Sequence, residues 1–302
     1  MEKIKLIYIA SNGRSGSTLL DLLLGAHPNI WTLGEFQVLP WEIITPRQFC
    51  GCGKRVVDCN FWGSILDEWH SIIHEGTIHN FRISHGKGKV LRFDEICHML
   101  FGDTSKISYH IRKYGRENAD IIRDVIRQAS KQKNIKYVVD ASKDPYRLRW
   151  LAQSKCFEIY AVHLIKDPRS FVFSMTKNKS FKLSKVIRMN IRYVIENAII
   201  SFMKKYLSPG RYVKINYEKM AADPQNTMIK LFDFFGIKTE GYHINNFRSL
   251  NHAISGNKMR FEQRGISLDE RWRSALPLKH QLLTKLLCMI SARRYGYFKS
   301  CP

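Results

Sequence analysis

The sequence has no run of about 18 consecutive apolar residues, which a membrane-spanning helix needs. Its first apolar stretch, Leu6–Ala10, is shorter than the core of a secretory signal peptide, and no small-residue cleavage site follows at the right distance. We therefore expect no transmembrane segment, a cytoplasmic protein, and a buried first strand at this position.

Internal repeats, low-complexity segments and Pro/Gly-rich linkers are also missing, so we expect one domain over residues 1–302. Acidic residues are scarce, since 26 Asp and Glu stand against 49 Lys and Arg, a net charge of +23. Such an excess attracts polyanions, or it is a composition bias that only favours solubility. No compact basic, aromatic-rich motif is visible, which argues against a specific nucleic-acid-binding module.

Short apolar runs alternate with helix-length segments along the chain. They predict strands at residues 5–10, 136–140, 158–165 and 211–216 and helices at 18–26, 169–176 and 227–235. This alternation predicts an α/β fold, a P-loop-like parallel sheet flanked by helices, with ligands at the carboxyl ends of the strands. The stretch from about Gly51 to Lys133 lacks a clear strand and is interpreted as a largely helical insertion near the acceptor.

The loop between the first strand and the first helix reads SNGRSGST, at the position of a phosphate-binding P-loop. Its glycines let the backbone approach an anion, and its hydroxyls and guanidinium donate hydrogen bonds; the candidate ligands are Gly13, Arg14, Ser15, Gly16, Ser17 and Thr18. Ser17 stands where a Walker loop has lysine, which argues against a P-loop kinase or nucleotide hydrolase. An ordinary Ser/Gly turn that caps a helix is the alternative.

Arg14–Leu20 resembles the 5′-phosphosulfate loop of the sulfotransferases that use 3′-phosphoadenosine 5′-phosphosulfate (PAPS). Further segments follow in that family's order: Gly25–Pro28, Gly34–Glu35, Ser142–Pro145, Leu164–Ser174 and Asn216–Glu218. The resemblance extends from Ile7 to about Trp272, and it is greatest to the branch of tyrosylprotein and many bacterial carbohydrate sulfotransferases. It implies the sulfotransferase fold, PAPS as sulfuryl donor, and catalysis without a metal.

The resemblance also implies roles for matching residues. Glu35 is the expected general base, and Arg14 and Lys143 are the expected catalytic cations, because charge builds on the leaving phosphate during in-line transfer. Lys166 and Ser174 are expected to bind the 3′-phosphate. The family usually has arginine where Lys166 stands, and lysine makes a less directional contact.

Several further residues have less defined roles. Tyr217 is expected to pack near the nucleotide. Asn257–Arg260, followed by Asp269–Trp272, is expected to contribute a late loop over it, in which Arg260 is a cofactor-binding candidate. His27 is an alternative base, although its His-Pro context is interpreted as the end of the first helix, and His163 is interpreted as a core histidine.

Three of the seven cysteines cluster at Cys50, Cys52 and Cys59. They could bind zinc with a fourth ligand such as His70 or His74, form a disulfide that includes Cys59, or be small buried residues. Because C-x-C-x6-C lacks the paired C-x-x-C of strong zinc sites, the sequence favours a structural role without metal.

The expected acceptor is a hydroxyl on an anionic carbohydrate or lipid-linked glycan. The charge of +23 exceeds what one nucleotide needs. The insertion also combines basic residues with aromatic rings that could stack on sugars, unless they are core residues: Trp62, Trp69, Phe81, Phe93, Phe101 and Tyr109. A tyrosine or phenol, another small-molecule hydroxyl or an amine is the alternative acceptor, and a non-catalytic nucleotide-binding protein is the alternative function.

Overall fold

The structure, a computed structural model, describes residues 2–40, 48–70, 108–176, 181–262 and 265–298. Its centre is a five-stranded sheet in which all neighbouring strands pair in parallel, in the order β2-β3-β1-β4-β5. The strands are β1 (Ile4–Ser11), β2 (Ile30–Gly34), β3 (Tyr137–Lys143), β4 (Phe157–Ile165) and β5 (Tyr212–Asn216). The predicted α/β fold with a helix-flanked parallel sheet is confirmed.

Helices connect the strands and cover both faces of the sheet. They are α1 (Ser17–Gly25), α2 (Asn60–His70), α3 (Ser108–Ala129), α4 (Pro145–Gln153), α5 (Pro168–Thr176), α6 (Leu183–Phe202), α7 (Tyr217–Ala222), α8 (Pro224–Phe235), α9 (Trp272–Ala275) and α10 (Leu278–Arg294). Short 3-10 turns lie at Phe36–Val38, Met203–Tyr206, Ile244–Arg248 and Lys258–Phe261. In the described part of the chain, no helix combines the length and the apolar character that crossing a bilayer requires.

The alternation of side chains along β1 explains why the sheet is covered on both faces. Leu6 and Tyr8 belong to the core cluster that includes residues of α2, α3 and α4. Ile7 and Ile9 belong to a second cluster, with residues of α1 and α8. Because successive side chains of a strand point to opposite faces, both sets are buried, and the strand has the nearly continuous apolar sequence of a parallel sheet.

The described parts of the predicted insertion are mostly helical, with turns at residues 51–59 and 130–133, and a buried ion pair ties α3 to the sheet. The Arg147 guanidinium on α4 lies 2.8 Å from the Asp140 carboxylate of β3, and both side chains are fully buried. The same guanidinium donates to the Tyr114 hydroxyl at 2.6 Å and to the Asn118 side-chain oxygen at 2.9 Å, both on α3. A buried charge pair needs such additional hydrogen bonds to offset the loss of hydration.

The strand order leaves a crevice at one edge of the sheet. The chain leaves β1 towards β2 and β3 on one side, while β4 and β5 lie on the other. The connections that leave the carboxyl ends of neighbouring strands therefore diverge, and in open α/β sheets ligands bind in such a crevice.

Candidate active site

The loop between β1 and α1 has a backbone that depends on glycine. Gly16 precedes the first residue of α1 and has a left-handed φ of 92°. A Cβ at this position would overlap the ring of Tyr217, which packs directly on the glycine. Glycine is needed here for both reasons, and the N-terminal N–H groups of α1 remain accessible to an anion.

Polar groups of this loop are placed at or beside the crevice. Arg14 is exposed and has a left-handed φ of 69°, which is uncommon for a residue with a side chain. The Ser15 hydroxyl is buried and has no hydrogen-bond partner among the described residues. The Thr18 hydroxyl accepts a hydrogen bond at 3.1 Å from the backbone N–H of Asn257, which joins this loop to the predicted late loop.

Glu35 and Lys143 meet at the ends of β2 and β3. The Lys143 ammonium donates to the Glu35 carboxylate at 2.5 Å, and both side chains are partly exposed. Lys143 has the same left-handed φ of 69° as Arg14, so both predicted catalytic cations have an uncommon backbone conformation. Such conformations concentrate at functional sites, where the surrounding structure imposes them.

A distant segment fixes the backbone of Glu35. The Glu35 N–H donates to the Ile254 carbonyl at 2.8 Å, and the Ile254 N–H donates to the Leu33 carbonyl at 2.9 Å. Gly34 lies between these bonds with a φ of 71°, and a Cβ there would overlap the backbone of Ile254. Residues more than 200 positions away therefore set the direction in which Glu35 leaves the sheet.

Lys166 and Ser174 lie on the β4 side of the crevice. Lys166 follows β4 directly and is 4% exposed. Its ammonium lies 4.5 Å above the centre of the Tyr217 ring, a cation–π contact. The Tyr193 hydroxyl donates to the Lys166 carbonyl at 3.0 Å and holds this part of the chain in place. Ser174 projects from α5 into the same cavity as Lys166.

One cavity of about 530 Å³ brings most of the predicted site together. Its lining includes Arg14, Gly16, Ser17, Thr18, Glu35, Lys143, Lys166, Ser174 and Tyr217. Gly13 and Ser15 belong to the phosphate loop but do not line the cavity. Arg260 does not line it either. Instead, the Arg260 guanidinium donates to the carbonyls of Phe49, Ala253 and Ser255, and it lines a smaller adjoining cavity with Glu35 and Lys143.

The cavity also has further charged residues. Arg248 and Glu262 line it without any motif in the sequence that indicated them, and Asp269 and Arg271 of the expected late loop line it as well. The Arg271 guanidinium bonds both carboxylate oxygens of Asp269 at 2.7 Å, and this contact, the main cause, lowers the pKa of Asp269 to about 2. The cavity therefore has more cationic than anionic side chains, which suits a polyanionic ligand.

Asp21 is a buried carboxyl beside this site that the sequence did not reveal. It lies on α1, one turn after Thr18, and lines the smaller cavity. Burial raises its pKa to about 8, and the nearby Arg260 charge opposes that shift. One of its oxygens has no hydrogen-bond partner among the described residues. Asp21 therefore stays largely protonated in neutral solution.

The two histidines of the sequence analysis lie within hydrogen-bonded structure. His27 follows α1, and its ring contacts the Lys238 carbonyl at 2.8 Å and the Asn29 N–H at 3.1 Å. His163 is fully buried on β4, where its ring bonds Tyr212 and Asn197. Burial lowers the pKa of His163 to about 4, as expected for a core histidine.

The predicted sugar-stacking role of Trp62 and Trp69 was wrong. Trp62 is fully buried, and its indole N–H donates to the His252 carbonyl at 2.7 Å. Trp69 is 9% exposed and donates to Asp124 at 2.8 Å. Both rings belong to the core because they fill the space between the insertion and the sheet. Tyr109 is exposed, whereas the other predicted stacking residues lie outside the described residues: Phe81, Phe93 and Phe101.

Comparison with known proteins identifies related sequences and folds. The model of the sulfotransferase family matches residues 7–241, whereas no curated protein matches the sequence. A sulfotransferase domain from the curacin biosynthetic pathway is similar in structure, with a TM-score of 0.52 and 16% identity, over 96% of this chain and 98% of that one. Sulfotransferase STF9 from Mycobacterium avium is also similar in structure, with a TM-score of 0.50 and 10% identity. The match covers 98% of this chain and 78% of that one. At these identities the two structures show the shared fold.

Proposed function

The chain belongs to the sulfotransferase family, and on that premise we propose that it transfers the sulfuryl group of PAPS to an acceptor hydroxyl, with Glu35 as general base. One observation carries the proposal. The predicted loop, base, cations and 3′-phosphate residues come from separate parts of the sequence, yet they line the same cavity at the carboxyl edge of the sheet.

The cavity fits a nucleotide with two phosphate groups. Its volume of about 530 Å³ is in the range of ordinary cofactor sites. Its lining combines Arg14 and the N-terminal residues of α1 with Lys166 and Ser174, which are the predicted ligands of the two phosphate groups. The unpartnered Ser15 hydroxyl and the close approach of Gly16 to Tyr217 also suit a loop that surrounds an anion.

The geometry of Glu35 and Lys143 supports their proposed roles. PAPS supplies an activated sulfuryl group on a phosphate leaving group. Glu35 takes the proton of the attacking hydroxyl, and Lys143 stabilises the charge that develops on the leaving oxygen. An ammonium has three N–H donors, so Lys143 can hold the Glu35 carboxylate and still donate to a second oxygen. Arg14 adds a further cation at the loop.

For the acceptor, we propose a hydroxyl on an anionic carbohydrate or lipid-linked glycan. The support is the charge of +23 and the cationic side chains around the cavity. The buried Trp62 and Trp69 contribute nothing to this part of the proposal. A tyrosine, a neutral phenol and an amine are the competing acceptors.

Nucleotide binding tests the donor half of the proposal. Calorimetry should detect binding of 3′-phosphoadenosine 5′-phosphate (PAP) without added Mg²⁺, and added Mg²⁺ should leave the affinity unchanged. A nucleotide hydrolase would behave differently, because it needs Mg²⁺ to bind the triphosphate. Mg²⁺-dependent binding of ATP, without binding of PAP, would contradict the proposal.

The acceptor is tested with radiolabelled PAPS and a panel of anionic glycans, glycolipids, neutral phenols, amines and tyrosine peptides. With an anionic glycan, KM should rise steeply between about 0.05 and 0.3 M salt because screening shortens the range of charge attraction. The affinity for PAP should fall less in the same series, since its site is partly enclosed. Preferred sulfation of a neutral phenol, an amine or a tyrosine peptide would refute the glycan assignment.

A further inference from the structure

We propose that Cys50, Cys52, Cys59 and His252 form a structural zinc site beside the active site. The four ligand atoms, three Sγ and one Nδ1, all lie within 4.8 Å of one another. The fourth residue is His252, about 190 positions after the cysteines. It is not one of the two histidines, His70 and His74, that local spacing suggested. His74 and the side chain of His70 lie outside the described residues.

The distances between the ligand atoms match a single tetrahedral metal. With Zn–S bonds of about 2.3 Å and Zn–N bonds of about 2.0–2.1 Å, tetrahedral geometry requires S–S distances of about 3.8 Å and S–N distances of about 3.6 Å. Cys52 Sγ and Cys59 Sγ are 3.6 Å apart. His252 Nδ1 lies 3.4 Å from Cys50 Sγ and 3.3 Å from Cys59 Sγ. These three distances lie within about 0.3 Å of the tetrahedral values, and the remaining pairs of ligand atoms are no more than 4.8 Å apart.

The two alternative interpretations of the cluster, a disulfide and small buried residues, explain the positions of fewer of the four side chains. Each cysteine is a free thiol. A disulfide would join two of the sulfurs and leave the third sulfur and His252 Nδ1 beside them without a function. Small buried residues would not require a half-buried imidazole to approach two sulfurs. Three thiolates and one imidazole are a common ligand set for structural zinc, and soft sulfur ligands disfavour Mg²⁺ and Ca²⁺.

The protein around the ligands holds them in place. Cys50 and Cys52 lie in a tight turn, in which the Gly53 N–H donates to the Cys50 carbonyl at 3.0 Å and Gly53 has a φ of 88°. Cys59 directly precedes α2. The His252 ring stacks on Phe61, with ring centres 4.7 Å apart. Fixed side chains of this kind orient metal ligands before the ion binds.

The four protein ligands would leave no open coordination position, so the ion would be structural and not catalytic. It would join the cysteine turn and the start of α2 to the segment that contains Ile254. Ile254 bonds the backbone on both sides of Gly34, and the Gly51 N–H donates to the Ala253 carbonyl at 2.9 Å. If Glu35 is the base of the proposed function, zinc positions it through this backbone.

Metal analysis of the purified chain tests the site. The protein is produced without a polyhistidine tag, dialysed and measured by mass spectrometry for metals, and about one zinc per chain is expected. X-ray absorption at the zinc edge should show three sulfurs at about 2.3 Å and one nitrogen at about 2.0–2.1 Å. A folded wild-type protein with less than about one-tenth of a metal per chain would overturn the proposal, and so would bound iron or a mass two hydrogens lower from a disulfide within the cluster.

Variants assign the ligands. Cys52→Ala should lower the zinc content about tenfold, whereas Cys156→Ser, at a half-exposed cysteine outside the cluster, should retain it. His252→Cys should also retain zinc, with four sulfurs in the absorption spectrum, because four thiolates bind zinc equally well. This variant keeps the test decisive if Cys52→Ala does not fold. Full zinc in a folded Cys52→Ala protein, or three sulfurs in His252→Cys, would overturn the ligand set.

These measurements need neither PAPS nor an acceptor. A zinc-loaded protein that fails to bind PAP would refute the proposed function and leave the zinc site intact. A metal-free protein that sulfates its acceptor would refute the zinc site and support the proposed function.

Discussion

The two sides of the cavity are built in different ways. On the donor side, the phosphate loop directly follows the buried strand β1, Lys143 is the last residue of β3, and Lys166 directly follows β4. Most of the remaining lining, called the wall here, comes from residues 248–262 and from the segment from Gly265 to Arg271, which have little regular structure. The donor side is positioned by the sheet, whereas the wall is positioned by contacts between residues far apart in sequence.

This difference predicts which property a substitution changes. Changes at the phosphate loop and at Lys166 should alter nucleotide affinity, because the strands β1 and β4 place these groups for the phosphates. Changes where the wall meets β2 should alter turnover, because Glu35 is held there by Ile254.

Glu35→Gln should lower turnover strongly and leave nucleotide affinity almost unchanged, so it should separate these two properties most clearly. Loss of a general base typically lowers turnover about 10²- to 10⁴-fold, while the affinity for PAP should stay within a few-fold, since the base acts on the acceptor. Single-turnover kinetics and calorimetry measure the two quantities. Glu240→Gln, at an exposed glutamate, is the matched control and should behave as wild type. Near-normal turnover in Glu35→Gln would remove Glu35 from the role of base.

Lys166→Ala should affect the donor side alone. Loss of a hydrogen bond to a charged group costs about 1.5–3 kcal/mol, so the affinity for PAP should fall about 10- to 100-fold. Affinity for adenosine 5′-phosphosulfate, which lacks the 3′-phosphate, should hardly change, and Lys166→Arg should restore PAP binding. An equal loss for both nucleotides would show that Lys166 does not contact the 3′-phosphate.

Gly16→Ala should weaken PAP binding about tenfold. The new methyl group overlaps Tyr217, and the left-handed backbone costs a residue with a side chain about 1–2 kcal/mol, so the loop must shift away from the phosphate. Gly13→Ala is the control in the same loop, because a Cβ there has no atom within 4 Å. Calorimetry of both variants decides the matter, and equal affinities would contradict a tight loop at Gly16.

Asp21→Asn should affect sulfuryl transfer least, and it should change the pH dependence of stability. The pKa of Asp21 is raised from 3.8 to about 8 by burial. Between these values the folded protein retains a proton that the unfolded chain releases, so this group lowers the free energy of unfolding as pH rises from about 4 to 8. Asparagine cannot ionise, so the difference between the Tm of the variant and the Tm of the wild type should increase in favour of the variant as pH rises from about 4 to 8. Parallel Tm profiles would contradict a raised pKa.

The sequence predicted the donor side better than the wall for a physical reason. β1, β3 and β4 were visible because parallel strands buried on both faces are continuous apolar runs. β5 is a half-buried edge strand, and it was visible from its aromatic and β-branched residues. β2 was missed: it has only five residues, Ile30–Gly34, and begins soon after α1. Glu35 at its end was therefore placed by family resemblance and not by a predicted strand.

The sequence indicated only part of the wall, through the expected late loop at residues 257–260 and 269–272. Arg248 ends a short 3-10 turn and His252 lies in an irregular segment, and neither segment has the periodicity of a longer helix or a strand. The fourth ligand of the cysteine cluster was sought at His70 or His74 because metal ligands often have short spacing, whereas folding brings His252 to the sulfurs. Such long-range pairing is a property of the tertiary structure and has no signature in a single sequence.

The pairing of Ile254 with β2 also sets an order of events during protein synthesis. All five strands have been synthesised once β5 ends at Asn216, but the backbone partner of Glu35 follows about 40 residues later, roughly 2–8 s at 5–20 residues per second. The sheet and its phosphate loop can form within that interval, before Glu35 is held in place. A growing chain with the proposed activity would thus be able to bind its sulfuryl donor before it is able to use it, and prematurely terminated chains that end before Ile254 would compete with the finished enzyme for PAPS.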